Sequence, residues 1–195
     1  MNRINNLLIG CLCLLITSAC NKSFEYKYDD KPMQVSCPGA NEKLLNEALY
    51  SFFDDVTAYY QTKENDPSQR GMSTYEAYAN YVYGGALGDV NFKSIVSEHS
   101  KNVMNELKKE TQLWDKKPAM SNLNYDSEFV NCLITNIKDK DMVTTIQALR
   151  AANSMTPRLM AERFRLAVKA AMDDPNYGMY IALDTYYQYL FDLEI

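Results

Sequence analysis

From Asn41 to the C-terminus, apolar residues recur every three or four positions, and chains patterned this way must bury one stripe of each helix against other helices. Leu44, Leu45, Ala48, Leu49, Phe52, Phe53, Val56, Tyr59 and Tyr60 set this period first. Asn65-Asp66-Pro67-Ser68 and Gly71 then end the helix. Ser73 with Glu76 spells a capping box, in which hydroxyl and carboxylate each satisfy a backbone N–H that helix geometry leaves unpaired. That second helix stops at Gly84-Gly85 or Gly88. A third is predicted from Asp89 or Asn91, with Ile95, Val96, Val103, Met104, Leu107 and Trp114 inward. Asp126 or Ser127 caps the next, Lys138–Asp141 is a charged connector or solvated turn, and Met142 to Asn153 resumes the period. Thr156-Pro157 and Asp174-Pro175 each place an N-cap before a proline at the first helical position. No β-alternating series competes, and no 34-residue helix-pair repeat is found. The expected fold is all-α, an irregular antiparallel bundle of about six or seven helices in one domain, 41–195.

The first twenty residues follow another logic. Arg3 gives a positive start, Leu7 to Ile16 an apolar run broken only by Gly10, and Thr17, Ser18 and Ala19 a small-residue exit. That is the layout of a secretory signal. The run is too short for a membrane-spanning helix, which takes about 20 residues. Ile16-Thr17-Ser18-Ala19-Cys20 resembles the lipobox of bacterial lipoproteins, with Thr17 where that family favours Leu. A rival match, Leu8-Ile9-Gly10-Cys11, has too few apolar residues ahead of it. The resemblance implies cleavage before Cys20, a diacylglycerol on its thiol and an acyl chain on the new N-terminus. In some Gram-negative sorting systems Asp after the cysteine retains a lipoprotein in the inner membrane; Asn21 stands here, which implies the outer membrane. The expected organisation is a signal peptide 1–19, a lipidated tether 20–40 and the helical domain 41–195.

The tether carries interspersed charges with Pro32, Pro38 and Gly39. As a flexible coil it would separate domain from membrane by about 25 Å. Phe24, Tyr26 and Tyr28 alternate with polar residues, which also fits a short strand laid on the domain. Loss of Arg3 with the leader leaves 19 basic and 25 acidic residues, a net charge of −6. Such a chain has no electrostatic footprint for nucleic acid. After Cys20 only Cys37 and Cys132 remain. They suit one disulfide in an oxidising compartment, or two unpaired thiols.

Catalytic signals are sparse. His99, the only histidine, shares a helical spacing with Ile95 and Val103 and fits a packed helix boundary better than a metal or nucleophile site. Asp54-Asp55 read as the solvated side of the first helix, Asp173-Asp174 as a helix end and cap, and Glu47 as a third available carboxylate. Gly84-Gly85-Ala86-Leu87-Gly88 lacks the lysine of a phosphate cradle. Tyrosine is over-represented, with 15 in the chain. Tyr75, Tyr78, Tyr81 and Tyr83 on one helix are the candidate binding surface, and Tyr177, Tyr180, Tyr186, Tyr187 and Tyr189 crowd the last. No metal or cofactor is expected beyond the lipid on Cys20. The reading is a lipid-anchored envelope protein with a protein partner, an accessory or scaffold subunit of an outer-membrane assembly. An immunity-like inhibitor of a periplasmic enzyme is the alternative, and a carboxylate hydrolase the alternative of another class.

Overall fold

A computed structural model describes residues 24–61, 72–118 and 120–193. The signal segment, Cys20 and the loop signals at Asn65–Ser68 and Gly71 lie outside these residues. The described chain is all-α. Its helices are α1 (Glu42–Gln61), α2 (Thr74–Leu87), the short α3 (Phe92–Ile95), α4 (Glu98–Leu107), α5 (Glu128–Asn136), α6 (Lys140–Ala151), α7 (Pro157–Leu166), α8 (Val168–Met172), α9 (Pro175–Ala182) and α10 (Gln188–Phe191). A π-helical turn, Leu183–Tyr187, joins α9 to α10.

Helix starts follow the capping chemistry. The Ser73 hydroxyl accepts from Glu76 N–H while the Glu76 carboxylate accepts from Ser73 N–H. Ser127, Asp139, Thr156 and Asp174 accept from the first free amides of α5, α6, α7 and α9. Gly88, at φ 76°, closes α2 in the left-handed conformation that glycine adopts without a Cβ penalty.

The expected third helix is broken. Val96 is extended, at ψ 122°, and Ser97 starts α4 by capping Ser100 N–H. Ser97 N–H also donates to Asp55, 2.9 Å away, so tertiary contact fixes the break. Trp114 lies beyond α4. Its indole N–H donates to Leu107 O at 2.6 Å, and the residue pairs with Leu123 in an isolated antiparallel bridge.

Neighbouring helices line up as α4, α1, α2 and α7, with α9 packed on α1 and α5. From Tyr177 of α9 through the π turn every residue is buried, including Tyr177, Tyr180, Tyr186 and Tyr187. A helix sheathed all round is a core element rather than a surface one. Phe52 of α1 meets the rings of Tyr78, Tyr81 and Tyr186 at centroid distances of 5.9, 5.4 and 5.4 Å. Each such aromatic pair adds roughly 0.5–1.5 kcal/mol beyond the area it buries.

The segment expected as a tether is instead a strap laid on the body from Phe24 onward. Val35 and Cys37 are buried, and Cys37 is joined to Cys132 of α5 by a disulfide. The strap is extended yet enters no sheet, because its amides are taken by side chains of α1. The folded unit therefore includes residues 24–40, ahead of the expected start at 41.

Candidate functional site

Asn46, Glu47 and Asp54, spread over about two and a half turns of α1, carry the polar groups that hold the strap. Asn46 Oδ1 accepts from Gln34 N–H at 2.6 Å and Val35 N–H at 3.1 Å, and its amide donates back to Val35 O at 2.9 Å. One helix side chain thus replaces a neighbouring strand. The Glu47 carboxylate, 2 % exposed, accepts from Lys27 N–H at 2.6 Å and Tyr28 N–H at 3.1 Å. His99 Nε2 lies 2.6 Å from Glu47 Oε1, so α4 completes the clamp. The Phe24 ring stacks on His99 at 6.0 Å, and Tyr28 meets it edge-on at 5.9 Å. On the outer side Asp54 accepts from the Tyr28 hydroxyl at 2.6 Å and pairs with Lys27 at 3.2 Å. Burial, then the bond to Asp54, pushes the Tyr28 hydroxyl up to about 12.

Asp55 departs from the expected solvated side. It is buried and accepts from the Tyr186 hydroxyl at 2.6 Å as well as from Ser97. Glu47 and Asp55 are eight residues apart on one helix, about 12 Å along its axis. A pair of hydrolytic carboxyls sits within roughly 5–9.5 Å. Both are also occupied by structural donors, so the two do not make a hydrolytic pair. Asp174 likewise spends its carboxylate on Asn176 N–H and Lys138 N–H. No group of three or more His, Cys, Asp and Glu side chains is placed to hold a metal among the described residues.

The candidate tyrosine surface does not hold together. Tyr78 and Tyr81 are fully buried, and the Tyr81 hydroxyl donates to Thr185 O at 2.6 Å. The physical reason is spacing: positions 78 and 81 share the α2 stripe with Ala77, Val82 and Ala86, whereas 75 and 83 fall outside it. Tyr75 and Tyr83 stay exposed at 48 % and 42 %. They stand beside α7 and α8, where Leu159 and Leu166 are exposed at 57 % and 72 %. The bond to Glu162 holds the Arg165 guanidinium charged and the bond to Asp173 does the same for Lys169, with Tyr83 and Tyr75 respectively nearby. Along Pro157–Asp174 four basic side chains stand with three carboxylates, and Arg165 and Lys169 are each paired, with Glu162 at 2.6 Å and Asp173 at 2.8 Å.

The π turn holds a second feature. Asp184 is fully buried, accepts from the Tyr125 hydroxyl at 2.5 Å through Oδ1, and has no partner on Oδ2. Burial pushes this carboxyl up to about 7, against the opposing pull of the bonded Tyr125 hydroxyl and of the nearby Tyr180 hydroxyl, which itself makes no hydrogen bond. Tyr125 also lines a small cavity of about 140 Å³ with Arg150, Asn124 and Asn153. Asn153 ends its helix at φ 51°, a conformation asparagine tolerates better than most residues.

No family model, curated protein or solved structure matches the chain. The clamp on the strap escaped sequence reasoning, although a signal existed. Glu47, Ser51 and Asp55 recur at four-residue intervals, the mark of a polar row on one helix face.

Proposed function

We propose that this is a lipid-anchored protein of the bacterial cell envelope. Cys20 carries the acyl chains, and the helical body serves as an accessory or scaffold subunit by binding a protein partner. The observation that carries the reading is the Cys37–Cys132 disulfide, since such bonds persist in exported compartments and are rare in the cytosol. The signal segment and lipobox-like residues agree with it. No helix among the described residues is long and apolar enough to cross a membrane.

The partner-binding face in this reading is the ridge of Tyr75, Tyr83, Leu159, Leu166, Arg165 and Lys169. Tyrosine and arginine concentrate in protein interfaces, and exposed leucines beside them supply apolar area. The ridge's charges are paired, Arg165 with Glu162 and Lys169 with Asp173, so the exposed rings and leucines carry the contact in this reading. A photocrosslinker in place of Tyr83 should capture one defined membrane-assembly protein in cells. Arg165→Glu combined with Lys169→Glu should abolish that capture while the protein remains folded. Capture of a soluble periplasmic enzyme would favour the inhibitor reading. Unchanged capture by the charge-reversed variant would refute the ridge. Cys20→Ser should release the protein from membranes and remove its acyl label; full retention with label would refute the anchor.

A further inference from the structure

The docked strap leaves almost no free chain between the proposed anchor and the body. Phe24 is packed against the core and stacked on His99, Lys27 and Tyr28 are held by Glu47, Gln34 and Val35 by Asn46, and Cys37 by the disulfide. Only Asn21, Lys22 and Ser23 separate Phe24 from Cys20. Four peptide steps span at most about 14 Å. A folded body of this size is about 40 Å across, from its expected radius of gyration. A leash this much shorter than the body's diameter prevents the far side from turning toward the membrane. A free tether running to residue 40 would reach about 70 Å and leave the body unoriented.

We infer that the α1–α4 face bearing the strap is the membrane-facing surface of the protein, held against the lipid headgroups. The inference rests on the lipidation of Cys20 proposed above. This face has the chemistry of a headgroup contact. Beside Phe24 opens a groove of about 830 Å³ lined by Phe24, Tyr26, Lys27, His99, Asn102 and Glu106. Aromatic rings with a polar side are suited to the membrane–water boundary. The lining carries Lys27 and the carboxylates Glu25 and Glu106, so it complements zwitterionic headgroups, which present an amine, rather than a purely anionic surface. The Tyr75–Tyr83 ridge lies on α2 and α7, and α7 packs chiefly on α2, at the other end of the α4–α1–α2–α7 row from α4. It therefore points away from the lipid, where a protein partner can reach it.

Native lysines report the orientation. Lys27 lies on the strap face and Lys169 on α8, with side chains 54 % and 81 % exposed. The mature acylated protein is reconstituted on phosphatidylethanolamine–phosphatidylcholine vesicles and treated with an amine-acylating reagent, and each lysine is quantified by mass spectrometry. Lipid-free Cys20→Ser protein is the reference. Labelling of Lys27 should fall several-fold on vesicles while Lys169 is unchanged. A long Gly/Ser spacer between Ser23 and Phe24 should restore Lys27 labelling without removing the acyl chains. Equal labelling of the two lysines on acylated, vesicle-bound protein would overturn the orientation and leave the anchor standing. Persistent protection of Lys27 in the spacer variant would refute the short-leash origin of the orientation. A mature N-terminus without acyl mass would overturn the anchor, and the orientation with it.

Discussion

Asp184→Asn should stabilise the protein at alkaline pH and flatten part of its pH dependence. The carboxyl is fully buried in the π turn, donors reach only one of its oxygens, and its pKa stands at about 7 against an ordinary 3.8. Its folded-state pKa is raised, so the folded protein binds the proton more tightly than the unfolded chain. Stability is then unaffected by this group below about pH 4, falls as pH rises from there to 7, and levels off above. Between pH 5 and 8 those two pKa values correspond to a loss of about 2 to 3 kcal/mol. Asparagine keeps an oxygen for Tyr125 and cannot ionise, so the variant should lack that loss. Urea denaturation of wild type and variant at intervals from pH 5 to 8 gives the difference directly, with other titrating groups cancelling between them. A wild-type-minus-variant stability that stays flat across this range would refute the reasoning.

Three further outcomes follow from the packing. Cys37→Ser should cost about 4 to 5 kcal/mol, the chain-entropy value for releasing a loop of this length, measured by denaturation without reductant. Glu47→Ala should expose the amides of Lys27 and Tyr28 to hydrogen exchange and destabilise by about 1 to 3 kcal/mol, because a buried acceptor is withdrawn from two partly buried donors; unchanged exchange at those amides would contradict the clamp. Tyr78→Phe should be neutral or stabilising, since that buried hydroxyl is unpaired, whereas Tyr81→Phe should cost about 1 kcal/mol for its lost bond to Thr185. Thermal or chemical melts of the two variants compare them directly.

The sequence is most legible where local chemistry decides. Ser73 with Glu76, Thr156-Pro157 and Asp174-Pro175 mark helix starts because the capping bonds involve residues a few positions apart. The break at Val96 is hidden, since Ile95, Val96 and Val103 keep a helical period across it while the bond that fixes it comes from Asp55 on α1. The strap is hidden for a related reason. Charges, prolines and a glycine describe a tether equally well, and its docking depends on Asn46 and Glu47, which read as polar helix residues. The tyrosines mislead through composition: a count does not distinguish Tyr78 and Tyr81 on the buried stripe from Tyr75 and Tyr83 off it. The π turn has no local signature either. Its residues are held by distant groups, Tyr125 on Asp184 and Asp55 on Tyr186.

An intact mass of the protein extracted from bacterial membranes bears most directly on an acylated, strapped body. The expected species begins at Cys20, carries a diacylglycerol and an amide-linked acyl chain, and is lighter by two hydrogens for the Cys37–Cys132 bond. A species that retains Met1, bears no acyl mass and alkylates at both Cys37 and Cys132 would contradict the account.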